Sequence, residues 1–366
     1  MTKKQLLRAI AFLLVAAALL VVLCDLFEQE NHQSCDRSFY TYRNYPENTV
    51  DVVYIGTSGV DNYWIAPQAY AEYGLTAHPL ATEAMPPWLY TNMMDEALAY
   101  QNPQLILLDI RAFTQASKLE EKDDFMTIDA CARRVLDAMD AFSPNRFKTA
   151  FKVMDVVHQL DETAPRFDIS YLLSYVKYHS KWSDDEYRFS SNLGQRAHKY
   201  NGFNANDAFS TAQVPQTPVV YDSTYVEDLD PLCEAALYEV LDYIREKNLQ
   251  VLFVDTPQFL SQDRIGRTNR AIEILKAEGM NYLTFYTDDP SGAFAIDLDP
   301  QVDFHDRAHV NFFGAQKYTA ALATYIREHY DLPDRRTDPA AASAWEGVYD
   351  SLCEYIASLP ILHTRG

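Results

Sequence analysis

A chain of 366 residues has room for one large α/β domain or for one domain carrying a substantial insertion, and 48% hydrophobic with 13% aromatic residues excludes a disordered or collagenous protein. The formal net charge of −21 repels phosphate backbones, which argues against nucleic-acid binding and against docking on an anionic membrane through a basic patch. Five cysteines form no C-x-x-C pair, so neither a zinc site nor a thioredoxin-like motif is expected.

Taken from the start, Lys3, Lys4 and Arg8 precede an uncharged apolar run over residues 9–24 that ends at Asp25. With Leu6 and Leu7 counted and Arg8 snorkelling, the segment reaches the lower limit for spanning a bilayer, and the basic flank predicts a cytoplasmic N-terminus with the remainder exported. No small-x-small cleavage site follows, so the expectation is an uncleaved anchor over residues 1–28. That places Cys24 in the membrane. Cys35, Cys131, Cys233 and Cys353 then lie outside the cell, as disulfides in any of three connectivities or as buried thiols. Residues 29–50 are polar and read as a juxtamembrane connector.

An α/β rhythm begins at residue 51. The strand-like run 51–55 stops at Gly56, a helix over 67–73 starts at Pro67 and closes at Gly74, and a second strand is predicted over 76–81. A helix near 87–100 leads to the apolar run 105–108, which ends at Asp109. This β-α-β-α-β order predicts a parallel sheet with right-handed crossovers. Over about 112–230 the alternation gives way to helical periodicity at 130–142, 147–158 and 169–178 and then to a polar stretch, which reads as an insertion or lid within a domain covering 51–366. The rhythm resumes with a helix at 231–247, a strand at 251–255, a helix near 269–278, a strand at 282–286 and a helix near 315–330; a C-terminal amphipathic helix is predicted over 340–359.

Two distant segments have complementary chemistry. Gly56, Thr57, Ser58 and Gly59 follow the first strand directly, and Asp306 and His309 precede the last crossover helix; in a doubly wound sheet both sit at the carboxyl edge. A serine hydroxyl becomes a nucleophile when an imidazole takes its proton, and the imidazole needs a carboxylate to set its tautomer. Ser58, His309 and Asp306 are therefore the candidate nucleophile, base and orienting acid, with the glycines around Ser58 expected to permit a tight turn. His305, Asp306 and His309 lack a third histidine, so no metal is expected there. Asp255 and Thr256 end another strand at the same edge, and Tyr178, His179, Trp182 and Tyr187 are rings that suit either a core or carbohydrate stacking.

On these residues the chain resembles the SGNH, or GDSL-type, hydrolase superfamily. Gly56-Thr57-Ser58 stands for its first block and Asp306 to His309 for its last. The likeness is closer to its single-pass extracytoplasmic branch in Gram-positive bacteria, in which a P…YG helix (here Pro67 to Gly74) and a closing Asp-x-x-His-x-Asn-xx-Gly (here Asp306, His309, Asn311 and Gly314) recur; periplasmic alginate O-acetylation proteins are relatives. The resemblance implies a three-layer α/β/α flavodoxin-like parallel sheet with a helical insertion and an N-terminal transmembrane helix. It implies no cofactor, and acyl-ester chemistry, as hydrolysis or as O-acyl transfer from an acyl donor to an envelope glycan or other hydroxyl acceptor, with a membrane acyl-transport protein as partner. In that family the oxyanion is held by the backbone at the serine, a glycine after the second strand and an asparagine after the third. Here the candidates for that region are Gly59, Ala81, Asp109, Arg111 and Asn311, with no asparagine after the third strand and Arg111 as the replacement donor if it turns inward. The alternative is a catalytically weakened protein of the same fold that binds glycan or a membrane partner.

Overall fold

Apolar runs that cannot leave either face in water become the strands of one sheet. In the computed structural model, which describes residues 1–27, 34–115, 127–140, 143–183, 197–205, 220–288 and 294–359, β1 (Val52–Gly56), β2 (Ala77–Ala81), β3 (Leu105–Asp109) and β4 (Val251–Asp255) are buried at every position, whereas β5 (Asn281–Thr284) is partly open at the edge. Burial on both faces is the mark of a parallel sheet wrapped by helices. The order is β2-β1-β3-β4-β5, with every pairing parallel. From β1 the chain winds outward to β2 and then returns past it to β3, so the carboxyl ends of β1 and β3 flank the point where the winding reverses. Such a point leaves a crevice that neighbouring loops can line.

The covering helices before β4 are α2 (Ser34–Asn44), the short α3 (Ser58–Asp61), α4 (Ala66–Tyr73), α5 (Tyr90–Tyr100) and, in the insertion, α6 (Ile128–Ala138), α7 (Pro144–Leu160) and α8 (Ser174–Tyr178). After them come α9 (Pro231–Lys247), α10 (Gln262–Ala277), α11 (Phe312–His329), α12 (Pro339–Trp345) and α13 (Val348–Ala357). The architecture is thus an α/β fold built on a five-stranded parallel sheet. Ahead of it stands α1 (Lys3–Leu26), whose stretch Lys3–Cys24 is long and apolar enough to cross a membrane and is exposed as far as Leu19.

Three elements differ from the sequence expectation. The polar connector contains α2, whose Phe39 and Tyr42 are buried, as is Tyr45 just past its end; Tyr42 Oη donates to the Ala97 carbonyl at 2.9 Å, and Ser38 Oγ lies 3.0 Å from His78 Nε2. A stripe of aromatics at i, i+3 spacing docks this helix although its mean composition is polar. The helix expected over 169–178 is split into a 3₁₀ turn at Ile169–Tyr171 and α8, because Leu173 is extended (φ −128°, ψ 92°). The C-terminal helix is broken in two at Gly347, which takes φ +72°. Cys131, Cys233 and Cys353 are free thiols, as is Cys24 at the end of α1; the Cys35 side chain and Tyr187 lie outside the described residues.

Candidate active site

β1 delivers its last residue into a turn that has almost no spare volume. A Cβ built on Gly56 would stand 2.4 Å from Asp109 Cβ and 2.6 Å from Val60 Cγ2, and one on Gly59 would stand 3.0 Å from both Arg111 Nη1 and Thr256 Oγ1. Neither glycine adopts a positive φ. Close approach of the β3 end, and not an unusual backbone turn, is what demands glycine at 56, while at 59 a side chain would crowd the Arg111 and Thr256 side chains.

Thr57 is the N-cap of α3: its hydroxyl accepts from Gly59 N–H at 3.3 Å and donates to Asp109 Oδ2 at 2.7 Å, which also receives Thr57 N–H at 3.3 Å. The other carboxylate oxygen of Asp109 caps the 3₁₀ turn that follows β3, accepting Arg111 N–H at 3.0 Å. Asp109 therefore braces β1 to β3 from beneath the serine turn and uses both oxygens there. Burial raises its pKa, and the Arg111 cation and the Thr57 hydrogen bonds oppose that rise. Ser58 is left as the first residue of α3, so its N–H belongs to the first turn of a helix, where donors have no partner within the helix.

His309 arrives on a tight loop. Phe304 and Val310 form an antiparallel bridge, and His305 N–H donates to the His309 carbonyl at 2.8 Å. Asp306 closes the turn from inside, its Oδ1 accepting Ala308 N–H at 2.6 Å and His309 N–H at 2.8 Å. Its Oδ2 lies 2.9 Å from His309 Nδ1, and His309 Nε2 lies 2.8 Å from Ser58 Oγ. A carboxylate opposite Nδ1 requires the proton there, which leaves Nε2 as the acceptor for the serine proton. Burial favours the protonated form of Asp306, but the hydrogen bond and charge of His309 and the Ala308 N–H outweigh it and hold the carboxyl down to about 2.

Two side chains clamp this loop to the serine turn. Arg111 Nη1 donates to the Ala308 carbonyl at 3.0 Å, and Tyr63 Oη, two residues past α3, lies within hydrogen-bond reach of the same carbonyl at 3.1 Å and of the Pro257 carbonyl. Arg111 thus turns inward. Its Nε and the nearby Thr256 Oγ1 are buried with no hydrogen-bond partner among the described residues. Asp255, one residue before Thr256, is pushed up to about 8 by burial and by the Asp109 carboxylate.

The remaining sequence candidates lie further from the serine proton. Ala81 ends β2 in register with Gly56, and the next N–H, that of Thr82, donates to the Gly56 carbonyl at 3.2 Å. Asn311 is fully buried as the N-cap of α11: Oδ1 accepts from Phe313 and Gly314 N–H at 3.0 and 3.2 Å, and Nδ2 donates to the Val302 carbonyl at 2.5 Å. Its amide frames the histidine loop and is turned away from the crevice. Tyr178 is buried, His179 packs against Tyr175, and Trp182 stands exposed. Tyr63 carried no sequence signal, since only the folded chain brings it to the loop 245 residues later. No group of three or more His, Cys, Asp or Glu among the described residues is arranged to hold a metal ion.

No protein-family model and no curated protein matches the sequence. Among solved structures the chain is similar to an acetyl xylan esterase from the rumen bacterium Butyrivibrio proteoclasticus, with 9% identity and a TM-score of 0.29, over 78% of this chain. The match spans 65% of the length of that enzyme. Any reading of the chemistry rests on the geometry of Ser58, His309 and Asp306.

Proposed function

We propose that this chain is a serine-dependent acyl-ester enzyme of the SGNH type, held to the outer face of the cell membrane by α1 and acting as an O-acyltransferase or esterase on a cell-envelope glycan. The hydrogen-bonded series from Ser58 Oγ through His309 to Asp306 is the observation that supports it. Ser58 Oγ attacks the acyl carbonyl as its proton passes to His309 Nε2, and Asp306 stabilises the resulting imidazolium. The same proton then leaves with the departing alcohol. An incoming sugar hydroxyl or water, deprotonated by His309, attacks the acyl-serine and restores Ser58 Oγ–H.

Charge on the tetrahedral oxygen is met by Ser58 N–H and by Arg111, whose guanidinium packs on Gly59. Arg111→Ala is expected to lower kcat about 10²-fold with little change in KM, as loss of one such donor does elsewhere. An unchanged kcat would remove Arg111 from the mechanism and leave it as a clamp on Ala308.

Incubating the full-length protein in detergent with an activated acetyl ester or a serine-directed phosphonate, followed by intact-mass and peptide analysis, is expected to place one adduct on Ser58. A chain that stays unlabelled, under conditions that label an active enzyme of this type, would support the alternative of an envelope-binding protein with the same fold.

A further inference from the structure

The outer end of α1 is not bare. Its residues are exposed as far as Leu19 and half-buried at 20–24, and Phe27 just beyond it is buried. What covers them is α8 of the insertion: Ser174 Oγ donates to the Cys24 carbonyl at 2.8 Å, and the Tyr175 ring meets Phe27 edge-on with centroids 5.4 Å apart. At 1.5 Å per residue, the helix from Lys4 to Cys24 rises about 30 Å, the thickness of a bilayer's hydrocarbon core. The Cys24 carbonyl then stands at the outer hydrocarbon boundary, and its bond to Ser174 fixes α8 at that depth.

The segment continuous with this contact presents apolar side chains outward. Phe167 is 57% exposed, Ile169 40%, Val176 40% and Trp182 70%. Single exposed apolar residues are ordinary, but four within one short segment, beside the end of a membrane-spanning helix, form a patch that needs a cover. Over 167–182 the sequence carries Lys177, which pairs with Asp129 at 3.1 Å, and Lys181 against the single acid Asp168, so this stretch adds no net negative charge to a chain whose net charge is −21. Apolar and aromatic rings among basic residues suit the headgroup region, where an indole keeps its N–H hydrated and its body out of water.

We propose that the segment from Phe167 to Trp182 lies in the lipid interface of the membrane that α1 crosses, with Trp182 as its principal anchor, an inference that rests on reading α1 as a membrane span. The domain is then held by two attachments, and its orientation to the bilayer is fixed.

The chain has four tryptophans, of which Trp64, Trp88 and Trp345 are buried, and α1 holds none, so quenching from the lipid reads Trp182. The experiment reconstitutes the full-length protein and its Trp182→Phe variant into phosphatidylcholine vesicles, with and without lipid brominated near the headgroup end of its chains, and follows flotation beside tryptophan emission. Support is co-flotation of both proteins, with brominated lipid removing most of the emission that Trp182→Phe itself removes. Co-flotation with emission unaffected by brominated lipid would overturn the interfacial segment while leaving the anchor standing. Protein that stays at the bottom of the gradient would overturn the anchor, and this inference with it.

Discussion

Replacing His309 with alanine is expected to lower turnover of an acetyl ester by about 10⁴- to 10⁶-fold, the range seen when the base of a serine triad is removed. Nε2 at 2.8 Å from Ser58 Oγ is the proton acceptor this geometry provides. Asp109, the other carboxylate beneath the serine turn, already accepts hydrogen bonds from Thr57 and Arg111 with both oxygens. Ser58→Ala should fall to the same floor, and the double variant should fall no further, because nucleophile and base act as one unit and their losses are not additive. Steady-state rates for the two single variants and the double variant, corrected for spontaneous hydrolysis, check this. If His309→Ala keeps more than about a tenth of wild-type turnover, far above the floor for a lost triad base, the proton goes elsewhere and the relay is only a structural hydrogen bond.

The parts of this site that were legible in the sequence are those whose signal is local. Parallel strands buried on both faces must be continuous apolar runs, so β1, β3 and β4 announce themselves as VVYIG, LILLD and VLFVD. Gly-Thr-Ser-Gly at a strand end and Asp-x-x-His before a helix could be paired because the expected winding brings both to one edge. What was hidden is tertiary. Tyr63 carries no motif, yet it clamps the Ala308 carbonyl; Thr256 was placed at the edge by the end of its strand, but its approach to Gly59 was not legible. Asn311 sits just beyond the tetrad Asp306 to His309, which suggests chemistry, but a helix N-cap needs the same residue type, and Asn311 serves α11 in that way. The helix within the connector is hidden for a related reason. Averaged polarity conceals an aromatic stripe, and α2 is held by Phe39 and Tyr42, with Tyr45 buried just past its end.

Asp306→Asn is expected to separate the two duties of that side chain. In the native turn Oδ1 accepts the backbone N–H groups of Ala308 and His309 and lies 3.1 Å from His309 Nδ1, while Oδ2, at 2.9 Å, is the nearer partner of Nδ1. An asparagine that keeps its oxygen on the backbone pair places its NH₂ where Oδ2 stood. That group donates to Nδ1, so the imidazole proton moves to Nε2, and Nε2 then faces Ser58 as a donor that takes no proton. The loop survives, and the base is inverted. A fall in kcat of about 10⁴-fold is expected, the loss a wrong tautomer causes in other serine triads, with a melting temperature at neutral pH lowered by the loss of the ionised carboxylate but less than by removal of the whole side chain. Asp306→Ala should lose activity similarly but melt lower still, since the turn loses its cap. The pH dependence gives an independent check. The carboxyl is held down to about 2 in the fold, against 3.8 ordinarily. Its ionised form therefore stabilises the protein fully above the ordinary value, and that contribution is lost as the pH falls toward 2. The amide of D306N does not titrate, so the difference in stability between native protein and variant should shrink as the pH falls from about 4 toward 2. Should D306N stay within about tenfold of the native rate, the carboxylate does not set the tautomer, and His309 is oriented by its loop alone.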